Sequence, residues 1–258
     1  MFKHLRIAIL LYVLLFVAVG QLVTAITTTN WEHPLWVEVH PINGDSSPQT
    51  QTYIERLEEN DFDAVEEFFS REAQRFGLEL EQPVRVLLAP RYEGNLPELS
   101  AGASAIDMLI WSLKMRWLAT RLSWQSDRPR PDARLFAVYH DSKEANVLER
   151  SGALRKGLIA VANVFADRSA RGANQVIFAH ELLHTLGAND KYNPKDNTPL
   201  FPIGFADPNA KPLYPQRRAE IMAGRIPVGP LDAAMPASLK QVIVGPATAA
   251  EIRWRDVR

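Results

Sequence analysis

Two histidines one helical turn apart, with a glutamate beside the first, are the residues of this chain best suited to chemistry. The segment reads His180-Glu181-Leu182-Leu183-His184-Thr185-Leu186-Gly187-Ala188-Asn189-Asp190. Positions i and i+4 of a helix share a face, so both imidazoles can reach one ion. Zinc accepts neutral imidazole nitrogen and carboxylate oxygen, and a catalytic zinc keeps one position open for water. Glu181, next to the first ligand, can take a proton from that water as it attacks a carbonyl. Gly187 suits a chain that must leave its helix abruptly, because glycine tolerates positive φ. The chain can then return so that Asp190 supplies a third, anionic ligand. With 6 histidines in 258 residues, a chance His-Glu-x-x-His is expected about 0.009 times, so coincidence is a poor account of it. Asp196, Asp207 and Glu220 are the other carboxylates that could complete the set.

The elements around this segment must position it. Gln175 to Leu186 reads as a helix closed by Gly187. Val84 to Ala89, Leu135 to Tyr139 and Gly157 to Phe165 read as strands. Ile54 to Phe76 reads as one interrupted or two consecutive helices, with Phe62, Val65, Phe68, Phe69 and Phe76 as its buried stripe. Ala103 to Trp124 is a long apolar helix carrying Trp111, Trp117 and Trp124, read first as core and second as a partner or bilayer contact. A proline-rich stretch from Asn189 to Ala219 follows the motif, and Thr248 to Trp254 is a last helix. The order implies an α/β (α+β) fold, a sheet packed on helices with a loop-rich C-terminal part. His33, His40 and His140 have no partner at ligand spacing and read as structural or exposed. The oxygen-rich run from Asn189 to Asn197 matches no calcium loop and reads as a polar turn.

Composition narrows the partners. The chain is 47% hydrophobic and 23% charged, with a net charge of −1. That is globular, and it lacks the basic excess that tracks a phosphate backbone, so nucleic acid is excluded as a partner. Cysteine is absent, which excludes disulfides, thiolate metal sites and cysteine nucleophiles. The N-terminus is a membrane signal. Ile7 to Val19 is unbroken apolar sequence, and no charge falls between Arg6 and Glu32. Lys3 and Arg6 before the run set a positive-inside orientation. Ile7 to Ile26 would span roughly 30 Å as a helix, enough for a bilayer. The expected organisation is a cytoplasmic tail at 1–6, a signal anchor at 7–26, a linker at 27–52 and a metal-dependent domain at 53–258. A cleaved signal peptide is the rival reading of 7–26. Both readings export the domain, and the absence of cysteine suits a bacterial envelope.

The extended motif resembles that of the metzincin zinc metalloproteases, His-Glu-x-x-His-x-x-Gly-x-x-His or Asp, in its Asp variant, and is similar to that of snapalysin-type secreted bacterial proteases. Glu220-Ile221-Met222-Ala223-Gly224 resembles the family's Met-turn, with Met222 as the methionine beneath the metal. Glu220 reads either as a ligand or as the anchor of that turn. The resemblance implies a zincin-like fold and Zn²⁺ held by His180, His184 and Asp190. It also implies Glu181 as general base and a protein or peptide substrate. In the family an edge strand before the active-site helix binds substrate in extended form, and Gly157 to Phe165 is in the corresponding place. The function so implied is a membrane-anchored, exported zinc endopeptidase. A zinc-containing envelope protein that binds without cutting, and a zinc amidase acting on cell-wall peptides, are the alternatives.

Overall fold

A computed structural model describes residues 29–98, 102–125, 128–143, 152–154 and 158–254. The expected anchor and the tail before it lie outside the described residues. Among the described residues, no helix is long and apolar enough to cross a membrane.

The domain is a mixed α/β fold built on one five-stranded sheet in the order β2-β1-β3-β5-β4. Its strands are β1 (Leu35–Asn43), β2 (Val84–Leu88), β3 (Ala133–His140), β4 (Gly152–Leu154) and β5 (Ile159–Phe165). Four of them run parallel, and β4 pairs antiparallel with β5 at the edge. Parallel strands are covered on both faces, and alternation along β3 shows how. Leu135, Ala137 and Tyr139 join the core with helices α2 (Asp63–Arg75) and α4 (Arg171–Leu186). Phe136 and Val138 pack beneath α3 (Ala105–Gln125) on the opposite face.

Two expectations are corrected here. Residues 27–52 are not a linker throughout: Leu35–Asn43 is an inner strand with β2 and β3 on its two sides, and Pro48–Ile54 forms a short helix, α1. The domain therefore begins well before residue 53. Three side chains hide the strand in the sequence, namely Glu38, His40 and Pro41. The first two are buried as a pair, with His40 Nε2 3.0 Å from Glu38 Oε2 and Arg134 Nε 3.4 Å from the same oxygen. Arg134 donates onward to Ser123 Oγ on α3 at 2.7 Å, which ties this charged cluster between sheet and helix, although Arg134 Nε itself makes only the ion pair. Pro41 is tolerated because the β2 ladder stops at Leu88, opposite Val39. Beyond that point its carbonyl accepts from Tyr92 N–H, and no ladder bond requires a donor there.

The second correction concerns the sheet edge. Gly157 to Phe165 is not an edge strand. β5 lies between β3 and β4, and the edge position before α4 belongs to β4.

α4 is seated at the end of β5 by Asn174, whose amide donates to Phe165 O and accepts from Phe165 N–H. Gln175, the next residue, donates to Asp61 O. Between α4, α2 and the C-terminal segment lies an aromatic group. Phe69 is completely buried, edge-on to both Phe68 and Trp254, while Trp31 Nε1 donates to Ile252 O. Phe69→Ala should therefore lower stability by about 3–5 kcal/mol, read as a shift in urea midpoint with an unchanged slope.

Candidate metal centre

α4 ends at Gly187, whose φ of 113° places it in the left-handed region. Ala188 N–H bonds to Leu183 O and Gly187 N–H to His184 O, the paired bonds of a Schellman cap. This reversal carries Asp190 back toward the helix that the chain has just left. Asp190 Oδ1 lies 3.0 Å from His184 Nε2 and 3.3 Å from His180 Nε2. Among the described residues, these three are the only group able to hold a metal ion, with their ligand atoms within 4.8 Å of one another.

Each imidazole is oriented from behind. His180 Nδ1 is 2.9 Å from Ile221 O, and His184 Nδ1 is 2.9 Å from Ala188 O. A carbonyl oxygen only accepts, so both Nδ1 atoms carry protons. Both Nε2 atoms then turn lone pairs toward one carboxylate oxygen. Three electron-rich atoms converge, and such a cluster is favourable only with positive charge among them, from protons or from a metal cation. The donor set of two imidazoles and a carboxylate suits zinc. The charges respond as this implies. Burial is the largest single influence on the His180 imidazole and pushes its pKa down, but Asp190, the Glu181 charge and the Ile221 carbonyl together raise it. Burial would raise the Asp190 carboxyl, yet its bonds to the two histidines hold it well below the usual carboxylate range.

Glu181 is buried beside these ligands, and its pKa is raised, first by burial. Its Oε2 has no hydrogen-bond partner among the described residues. A buried acceptor left unpaired is costly to a fold, and such groups concentrate where chemistry needs them.

Met222 lies at the centre of a 3₁₀ turn, Ile221–Ala223, and is fully buried. The turn touches the site at two points. Ile221 O receives His180, and Met222 O accepts Lys191 N–H at 2.9 Å. It is closed by Gly224 in the left-handed region. Glu220 is its anchor and not a ligand. Its Oε2 accepts from Met222 N–H and Ala223 N–H, and its Oε1 from Gly245 N–H and Thr248 Oγ1. Asp196 and Asp207 are also away from the cluster. Asp196 binds Thr198 in an exposed turn with Asn193, and Asp207 pairs with Gln216. Of the remaining histidines, His40 and His140 bond to Glu38 and Asn163, and His33 is exposed.

The sequence reading missed Glu251, on the short helix α5 (Pro246–Glu251). Its carboxylate accepts from Asn189 N–H at 3.0 Å, from Asn189 Nδ2 at 2.9 Å and from Lys191 Nζ at 2.7 Å. Burial would raise its pKa, but the Lys191 and Asn189 bonds prevail and lower it. Lys191 is itself buried and also donates to Asn189 O. Glu251 thus grips the residues on both sides of Asp190. Nothing in the local sequence marks it, because it lies 61 positions beyond Asp190, whose neighbours it holds.

A scan against protein-family models finds no match. A search of curated proteins finds none either.

Supports behind metal ligands tune affinity by 10–100-fold. Glu251→Ala frees Asn189 and strips Lys191 of its anion, so zinc affinity should fall by roughly that factor. Competition with a chromophoric chelator measures it, and an unchanged affinity would mean that other contacts hold Asp190.

Proposed function

We propose that this chain is a zinc-dependent endopeptidase of metzincin type, anchored in a membrane by Ile7–Ile26 with its catalytic domain outside the cytoplasm. The observation that carries the reading is the meeting of His180 Nε2, His184 Nε2 and Asp190 Oδ1 beside a buried glutamate with an unpaired oxygen.

His180, His184 and Asp190 would hold the zinc. When bound there, zinc supplies Lewis acidity, lowering the pKa of water and polarising a carbonyl. Glu181 is the base: it takes the proton that attacking water must lose and returns it to the leaving amine. Burial raises its proton affinity, which suits a group that must both accept and give up a proton near neutral pH. The carbonyls of Ile221 and Ala188 keep the two imidazoles in the tautomer that a cation requires.

Further support comes from the order of parts. The resemblance to metzincins calls for an edge strand ahead of the active-site helix and a methionine turn after it. Here β4 sits at the edge, and the turn carrying Met222 touches both His180 and Lys191. An edge strand offers unpaired backbone groups to an extended peptide, so the substrate is a polypeptide.

The test is metal analysis of the purified chain, prepared without chelator, followed by peptide-library cleavage. Wild type should carry one zinc per chain, and His184→Ala should lose it. Glu181→Ala should keep the zinc and lose turnover by at least about 100-fold. Folded wild type that takes up no zinc when zinc is supplied would overturn the ligand set. Cleavage retained by Glu181→Ala would overturn the base. Zinc held by a wild type that cuts no peptide would favour a binding protein.

A further inference from the structure

The far side of the sheet from the metal centre carries a feature that peptide hydrolysis does not use. A helix lying on a sheet ordinarily turns one apolar stripe inward and a polar face outward. α3 is apolar on both sides. Met115, Leu118 and Ala119 are buried against the sheet with Phe136 and Ile159. On the opposite face, Ile106, Ile110, Leu113, Trp117 and Trp124 follow one another at helical spacing, each 45–67% exposed. The two indoles meet edge-to-face with centroids 5.7 Å apart. An exposed apolar patch of this kind on a folded domain marks a contact surface.

The charges beside the stripe identify what it contacts. At about 100° per residue, Lys114 and Arg121 fall along one flank and Arg116 along the other. The helix holds one acid, Asp107, which is spent on capping, accepting from Ser104 N–H and Ser104 Oγ in the first turn. An apolar band with indoles, bordered by cations, fits the interface of an anionic bilayer. It fits a second copy of the same helix poorly, since pairing through a two-fold axis would set cations against cations along both flanks.

The position of the domain agrees. Thr29 and Trp31 are already buried in it, and Ile26 closes the apolar N-terminal run. Two intervening residues reach roughly 10 Å between Ile26 and Thr29, so an anchor at Ile7–Ile26 keeps the domain against the membrane.

We propose that the outward face of α3 docks on an anionic lipid bilayer, with Leu113, Trp117 and Trp124 entering the headgroup region. The proposal rests on the anchor reading of Ile7–Ile26 and is independent of the peptidase reading. Docking gives the domain a fixed orientation, with the α4 face of the sheet directed away from the lipid.

The absence of cysteine makes the test clean, because one introduced thiol is the only thiol. Full-length chain carrying Leu113→Cys is labelled with a small fluorophore and reconstituted into vesicles of three parts phosphatidylcholine to one part phosphatidylglycerol. Lys195→Cys, in an exposed loop, reports the aqueous side, and Leu15→Cys reports the anchor. The probe at 113 should be quenched by lipid-chain nitroxide and be severalfold less accessible to iodide than the probe at 195. Lys114→Glu with Arg121→Glu should restore iodide access at 113 while lipid quenching at 15 persists. Equal iodide access at 113 and 195, with the probe at 15 in lipid, would overturn the docking surface alone. Loss of lipid quenching at 15 and 113 together would overturn the anchor as well. Cross-linking of copies through residue 113 in place of lipid quenching would assign the face to a second chain and overturn the proposal.

Discussion

The candidate metal centre depends on a backbone reversal at one glycine. Two imidazoles on a helix face can be set by the helix alone, but a third ligand has to arrive from a chain that is travelling away. At Gly187 that chain turns in a conformation that costs an L-residue roughly 1–2 kcal/mol. It returns Asp190 to within 3.3 Å of both Nε2 atoms. The same turn exposes Ala188 O, which fixes the ring of His184. One local reversal therefore supplies both a ligand and the orientation of another ligand. The remaining requirement, a carbonyl for His180, is met by the turn at Ile221.

The C-terminal segment exists in this arrangement largely as a brace, and three carboxylates fasten it, two buried and one half-buried. Glu72 on α2 accepts from Val244 N–H and pairs with Arg71 and Arg75. Glu220 holds the methionine turn together with Gly245 and Thr248. Glu251 reaches the residues flanking Asp190. Each carboxylate receives at least two hydrogen bonds, which offsets the cost of taking an acid out of water. Removing one partner from such a set would leave the others buried and unpaired. A charged network can therefore hold a site more exactingly than apolar packing, which tolerates small slides.

Much of the site was legible in the sequence because its chemistry is local. His180, Glu181, His184, Gly187 and Asp190 fall within eleven residues, and helix periodicity alone places the first three. The sheet packed on helices was also legible in outline, since β3 and β5 are largely apolar, Arg134, His140 and Asn163 apart. What was not legible was set by distance. Glu251 has no local signature, and its role depends on α5 packing beside a loop some sixty residues earlier. β1 was lost for a different reason. Its buried Glu38, His40 and Pro41 each argue against an inner strand when read singly. Each is acceptable only because Arg134, Ser123 and Tyr92, from three other parts of the chain, are present to meet it. The edge strand was misplaced because Gly152–Leu154 is three residues long, too short to show alternation.

The fastening by Glu251 has a consequence for the order of synthesis. A growing chain carries all three ligands and Glu181 once residue 190 has been added. It lacks the carbonyl of Ile221 until some thirty residues later, and the clamp on Asn189 and Lys191 until residue 251. Through that interval the ligands are present but unbraced. A site whose brace is its last helix is therefore incomplete until almost the whole domain has been made.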